Sequence, residues 1–142
     1  MLASNPQIRA VAIDAGSPAK ALISQSARER AGGKPVWYLN GTKIRIIPPA
    51  VNDLGAACAS LLAGVVTGTV RHIRQGQLTA AATTAGKRKL GDTGMWVWSR
   101  ATSTSDITAI QAATLALWAA QLDDIYRPPT RRKTGERRAV VM

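Results

Sequence analysis

From Ile107 to Leu122 the chain carries no charged residue. A helix over that run is shorter than the ~20 residues needed to cross a bilayer. Its Ala, Thr and Gln residues also make it too weakly hydrophobic for insertion. Such a helix has to be buried against the protein's own core, and the rest of the chain has to supply that core. One acid, Asp106, stands directly before the run, behind the Ser/Thr-rich approach SRATSTS. A carboxylate there complements the positive end of the helix macrodipole. It is also where a metal ligand could stand, and because Ser103, Thr104 and Ser105 can cap the helix, capping alone does not demand an acid.

The segments that can pack on this helix alternate in type. Residues 8–13, IRAVAI, are apolar and β-branched, which predicts a buried strand ending at Asp14. AGSP follows as a tight turn, and Pro18 suits the first turn of a helix. That helix is expected from Ala19 to about Arg30, with Leu22, Ile23 and Ala27 inward and Ala31-Gly32-Gly33 as its stop. Val36–Leu39 and Lys43–Ile47 suggest one or two strands about an Asn40-Gly41 turn, closed by Pro48-Pro49.

A second helix is expected from Ala50 to about Thr67. Leu54, Cys58, Leu61, Leu62 and Val65 fall at helical spacing, with Asn52 or Asp53 near its start. The connector VRHIRQGQ leads to a third helix near Leu78–Ala85. Lys87, Arg88 and Lys89 follow it, a turn is marked by Gly91, Asp92 and Gly94, and MWVWSR (95–100) alternates as a strand. The last helix is expected from about Ser105 to Leu122. Strands alternating with helices give an α/β class, with a small sheet of about three or four strands flanked by helices. One domain over residues 1–126 and a basic tail over 127–142 account for the length.

Composition narrows the partners. Lys and Arg number 19 against eight Asp and Glu, a formal charge of +11 with a pI near 11.1. Such an excess favours a polyanion, most often nucleic acid. Arg127, Arg131, Arg132, Lys133, Arg137 and Arg138 crowd the tail, with Glu136 alone opposing them. The N-terminus lacks the layout of a signal peptide, so a cytoplasmic, non-membrane protein is expected. The single cysteine, Cys58, excludes an internal disulfide and suits a buried thiol. With one histidine, His72, a zinc cluster of Cys and His is excluded. There is no G-x-x-x-x-G-K-[ST] loop, and so no ATP site of that kind.

Eight acids in 142 residues make each one informative. Asp14 stands at the carboxyl end of a strand, where ligand chemistry gathers in open α/β sheets. It equally suits an Asx turn that holds the next backbone N–H. Two such carboxylates on a basic chain suggest a Mg²⁺ or Mn²⁺ site for phosphodiester chemistry. In such sites a pair of ions about 3.5–4 Å apart activates water and stabilises the leaving oxygen. His72, between Arg71 and Arg74, is a candidate for phosphate contact or for a structural role. Trp96 and Trp98 share a strand face and Trp118 lies on the last helix; they can stack on bases or fill a core that has no Phe.

Three blocks in order resemble the C-terminal nuclease domain of the large terminase subunit of tailed phages. They are AVAIDAGSPAKALI (10–23), VRHIRQGQLTAAATTAGKRKLGDTGMWVWSR (70–100) and DITAIQAATLALWAA (106–120). The resemblance spans most of residues 8–122. It implies an RNase H-like fold, here truncated, and cleavage of double-stranded DNA by Mg²⁺ or Mn²⁺ during genome packaging in the host cytoplasm. It matches Asp14 to the middle acid and Asp106 to the last acid of a three-acid site. Arg71, His72, Arg74, Lys87, Arg88, Lys89 and Arg100 become candidates for DNA contact, with Arg131, Arg132 and Lys133 of the tail. Other terminase polypeptides or the portal are implied partners.

The first acid of that family lies on a strand upstream of Asp14, and no acid precedes Asp14 in this sequence. Asp53 and Asp92 match positions with no catalytic role in the family. The resemblance therefore implies a C-terminal part of the subunit, without its ATPase domain and first nuclease strands. Such a part holds two of three ligands and is expected to cut poorly or not at all. A DNA-binding or packaging-associated module without chemistry, or a degenerate prophage remnant, are the alternatives.

Overall fold

The computed structural model describes residues 8–31 and 34–122. It is a mixed α/β structure with four helices, a four-stranded sheet and a separate two-stranded hairpin. The sheet is built from β1 (Ala10–Ala12), β2 (Ala27–Ala31), β3 (Lys34–Tyr38) and β4 (Arg45–Ile47), in the order β1-β4-β3-β2. β1 runs parallel to β4, with Val11 opposite Ile46, and the other pairs are antiparallel. Ile44, Ile46 and Ile47 are buried with Ile13, so these β-branched residues form the sheet's apolar contribution to the core. Between β3 and β4 the Asn40-Gly41 turn is present, with Gly41 at φ +71°.

The helix expected from Ala19 to Arg30 is only one and a half turns long. α1 covers Lys20–Ser24, and residues 27–31 form β2 instead. No residue of α1 is buried, and Leu22, expected inward, is 47% exposed. Without an apolar face to bury, a short helix has little to sustain it. The hydroxyls of Ser24 and Ser26 bond back to the carbonyls of Ala21 and Ile23, and the chain turns there. Five residues then pair with β3 from Ala27↔Tyr38 to Ala31↔Lys34, so ladder hydrogen bonds override helix propensity.

α2 (Val51–Val66) starts behind the double proline, and the Asp53 carboxylate accepts the Ala50 N–H at 2.9 Å. Its inner face is Gly55, Ala57, Cys58, Leu61 and Gly64; Leu62 and Val65, though at helical spacing, are exposed. Gly64 has to be glycine because a Cβ there would meet Val70 Cγ2 at 2.5 Å. The chain leaves α2 through Gly68 at φ +73°, and the Val70 N–H returns to the Gly64 carbonyl.

α3 (Gly76–Thr84) seats Ala81, fully buried, against the core. Leu61, Ala81, Ile107 and Ile110 form a buried cluster, with Trp98, Val70, Leu78 and Leu117 packed around it. Burial pushes the Cys58 thiol above its ordinary pKa, against an opposing hydrogen bond with the Trp98 backbone. Lys87–Lys89 follow the third helix as expected, and there they form part of a strand. β5 (Gly86–Lys89) pairs antiparallel with β6 (Trp96–Ser99) across a turn holding Gly91 at φ +55° and Gly94 at φ +75°.

α4 (Thr108–Ala120) packs against α2, α3 and β1. It begins three residues later than the Ser/Thr run suggests, because those hydroxyls are occupied elsewhere. Ser103 Oγ accepts the Gly86 N–H and donates to the Ser99 carbonyl, while Ser105 Oγ pairs with Thr84 Oγ1 at 2.6 Å. No helix among the described residues is long and apolar enough to cross a membrane. The tail expected over 127–142 lies outside the described residues.

Candidate nucleic-acid interface

Both candidate acids stand at element ends, and both are used locally. Asp14, half-buried just past β1, accepts the Gly16 N–H on Oδ1 at 2.8 Å. Its carbonyl accepts the Ser17 N–H at 3.1 Å and the Ser17 hydroxyl at 2.8 Å. This is the Asx-turn geometry that Asp favours. Asp106 is exposed and accepts on Oδ1 from the Thr108 hydroxyl at 2.6 Å and the Thr108 N–H at 3.0 Å. Those two bonds hold its carboxyl below the ordinary carboxylate range, with the Arg100 guanidinium adding to them. In both residues Oδ2 makes no hydrogen bond among the described residues, so each retains a free acceptor.

Because α4 packs on β1, the two acids belong to neighbouring elements. A metal pair needs more donors than that. Among the described residues no three of His, Cys, Asp and Glu are grouped so as to hold a metal ion. Asp53 is committed to the start of α2, and Asp92 is exposed in the β5–β6 turn. Asp14 and Asp106 each keep one carboxylate oxygen free, and Mg²⁺ is commonly held by one or two carboxylates together with substrate phosphates.

The cations fall into two settings. On the β5–β6 hairpin the register places Lys87 opposite Trp98 and Lys89 opposite Trp96, on one face. Lys87 Nζ lies 4.2 Å from the Trp96 ring centroid and 5.9 Å from that of Trp98, a cation–π arrangement. The two indoles meet edge to face at 4.8 Å and 76°. Trp98 Nε1 donates to Thr114 Oγ1 at 2.9 Å, so this tryptophan is tied to α4 and the core. Arg100 Nε donates to Gln111 Oε1 at 3.1 Å, which holds this cation along α4 just beyond the hairpin.

The second setting is the connector between α2 and α3, where Arg71, His72 and Arg74 are all exposed. Arg71 Nε reaches the Gly68 carbonyl at 3.3 Å. Arg74 takes φ +52°, a left-handed conformation unusual outside glycine. Arg131, Arg132 and Lys133 lie outside the described residues.

Sequence reasoning missed the pairing of Lys87 with the tryptophans and the part played by Thr108 and Thr114. The first was available: a Gly-Asp-x-Gly turn between Lys-Arg-Lys and Trp-x-Trp is a hairpin signal. The threonine contacts depend on how α4 is turned about its axis, which spacing alone does not set. Comparison with family models, curated proteins and solved structures finds no match to this chain.

Proposed function

We propose that this chain is part of the nuclease domain of a tailed-phage large terminase subunit, with double-stranded DNA as its substrate. The reading rests on the sequence blocks that resemble that domain and on the +11 charge. The observation that carries it is the placement of the acids: Asp14 closes β1, Asp106 precedes α4, and α4 packs on β1. A mixed sheet with β1 parallel to β4 and a helix against it is compatible with a truncated RNase H-like fold.

In this reading the chain contributes Asp14 and Asp106 as ligands for Mg²⁺ or Mn²⁺, two of the three acids that the resemblance implies. The chain alone then binds DNA through Arg71, His72, Arg74, Lys87, Arg88, Lys89 and Arg100 and does not cut it.

Plasmid nicking tests the division of labour. Purified protein with Mn²⁺ is compared with Asp14→Ala, Asp106→Ala and an EDTA control. Nicking no faster than in either variant is the expected result. Metal-dependent nicking that both substitutions abolish would show a complete site within the chain, and the account of the missing acid would fail.

A further inference from the structure

The connector between α2 and α3 displays an apolar side chain where solvent should favour a polar one. Ile73 is 87% exposed, more than any other large hydrophobic residue described. Burying an isoleucine stabilises a fold, and at this position the fold gains little of that. Its chain neighbours Arg71, His72, Arg74 and Gln75 are exposed as well. The segment is short and fixed at both ends. Before it, Val70 packs on the core and its N–H bonds to Gly64; after it, the Thr79 N–H bonds back to Gln75 as α3 begins. Between these anchors Arg74 adopts its left-handed φ of +52°, which an unconstrained arginine avoids.

We infer that Ile73 is a wedge that enters a DNA groove and partly unstacks one base step, with Arg71 and Arg74 held on the flanking phosphates. An apolar tip between cations is the chemistry by which proteins kink duplex DNA through the minor groove. The charge around Ile73 makes DNA the fitting occupant, since a protein partner for a lone isoleucine would not call for two flanking arginines. Pyrimidine–purine steps unstack most easily, so the wedge favours duplexes with a TA or CA step. This deepens the proposed DNA-binding role and rests on it.

The test uses the full chain and a short duplex carrying 2-aminopurine beside a central TA step. Wild-type protein is expected to raise the 2-aminopurine fluorescence as it binds. Ile73→Ser, at a position outside the core, should fold normally by circular dichroism. It should bind the TA duplex about tenfold more weakly, as expected for the loss of a modest unstacking contact, without raising the fluorescence. Arg71→Ala should lower affinity and reduce the salt slope by about 0.9, as for one lost phosphate contact, yet retain the fluorescence rise once saturated. Equal fluorescence with wild type and Ile73→Ser would overturn the wedge while leaving DNA binding intact. Failure of the wild-type chain to bind any duplex would overturn the DNA-binding role and the wedge together. Retained affinity with an Ile73-dependent contact to another protein would assign the residue to a protein interface instead.

Discussion

The β5–β6 hairpin and the α2–α3 connector are both basic, but the fold uses their cations differently. On the hairpin, Lys87 lies over Trp96, and Trp98 beside it is bonded to Thr114 on α4. Charge there is joined to packing. In the connector, Arg71, His72 and Arg74 are exposed beside an exposed Ile73, and the core touches only the anchors. Substitutions in the hairpin should therefore register first as lost stability, and those in the connector as lost binding. The same residue types in the sequence carry different physical consequences because one segment has a strand partner and the other has none.

The largest expected effect is at the root of the hairpin. A Cβ on Gly86 would overlap the hydroxyl and the backbone carbonyl of Thr102, where strand and 3-10 turn meet. Gly86→Ala should destabilise by about 3 kcal/mol, the upper end for overpacking a tight site, as read by urea denaturation. A cost below that of an ordinary surface change would show that the hairpin is not fixed as described. Trp98→Phe removes the Nε1 donor and should cost about 1–2 kcal/mol from the lost bond and volume. Thr114 keeps its own bond to the Ile110 carbonyl, which limits the loss.

The connector sharpens the comparison from the other side. Arg74→Gly relieves a left-handed arginine and should leave stability unchanged or raise it by up to about 1 kcal/mol. DNA affinity, measured by anisotropy, should fall in the same variant. A stability loss with unaltered affinity would reverse the roles assigned to the two regions.

The smallest effect concerns pH. The Asp106 carboxyl is held below its ordinary pKa by Thr108, so its contribution is fully present above the ordinary carboxylate range. That contribution is lost as pH falls through the lower folded value. Thr108→Val should move the Asp106 titration upward in an NMR experiment, and stability near neutrality should scarcely change with pH on its account. An unchanged titration would remove the Thr108 hydroxyl as the main cause.

Much of the fold was legible because it depends on local pattern. IRAVAI, the Asn40-Gly41 turn and the α2 spacing each placed an element close to where it lies. The failures have a common origin in hairpin pairing between neighbouring segments. Ala27–Ala31 became a strand through β3, and Gly86–Lys89 through β6; both partners read as strands, but the apolar pattern of neither new strand announced the pairing. The acids divide in the same way. An Asx turn at Asp14 was one of the two readings of Asp-Ala-Gly-Ser-Pro, whereas at Asp106 the Ser/Thr run left open whether the helix start needs a carboxylate. Ser103 and Ser105 are drawn instead to Gly86 and Thr84, which leaves the start of α4 to the carboxylate.

The most direct measurement is the affinity of the full chain for a short DNA duplex as salt is raised from about 50 to 200 mM. The account predicts tight binding at low salt that falls linearly on logarithmic axes, with about 0.9 of slope for each phosphate neutralised. Arg71→Ala and Arg74→Gly should each make that slope shallower without lowering stability. A folded chain with no duplex affinity at low salt, or an affinity indifferent to salt, would contradict the account.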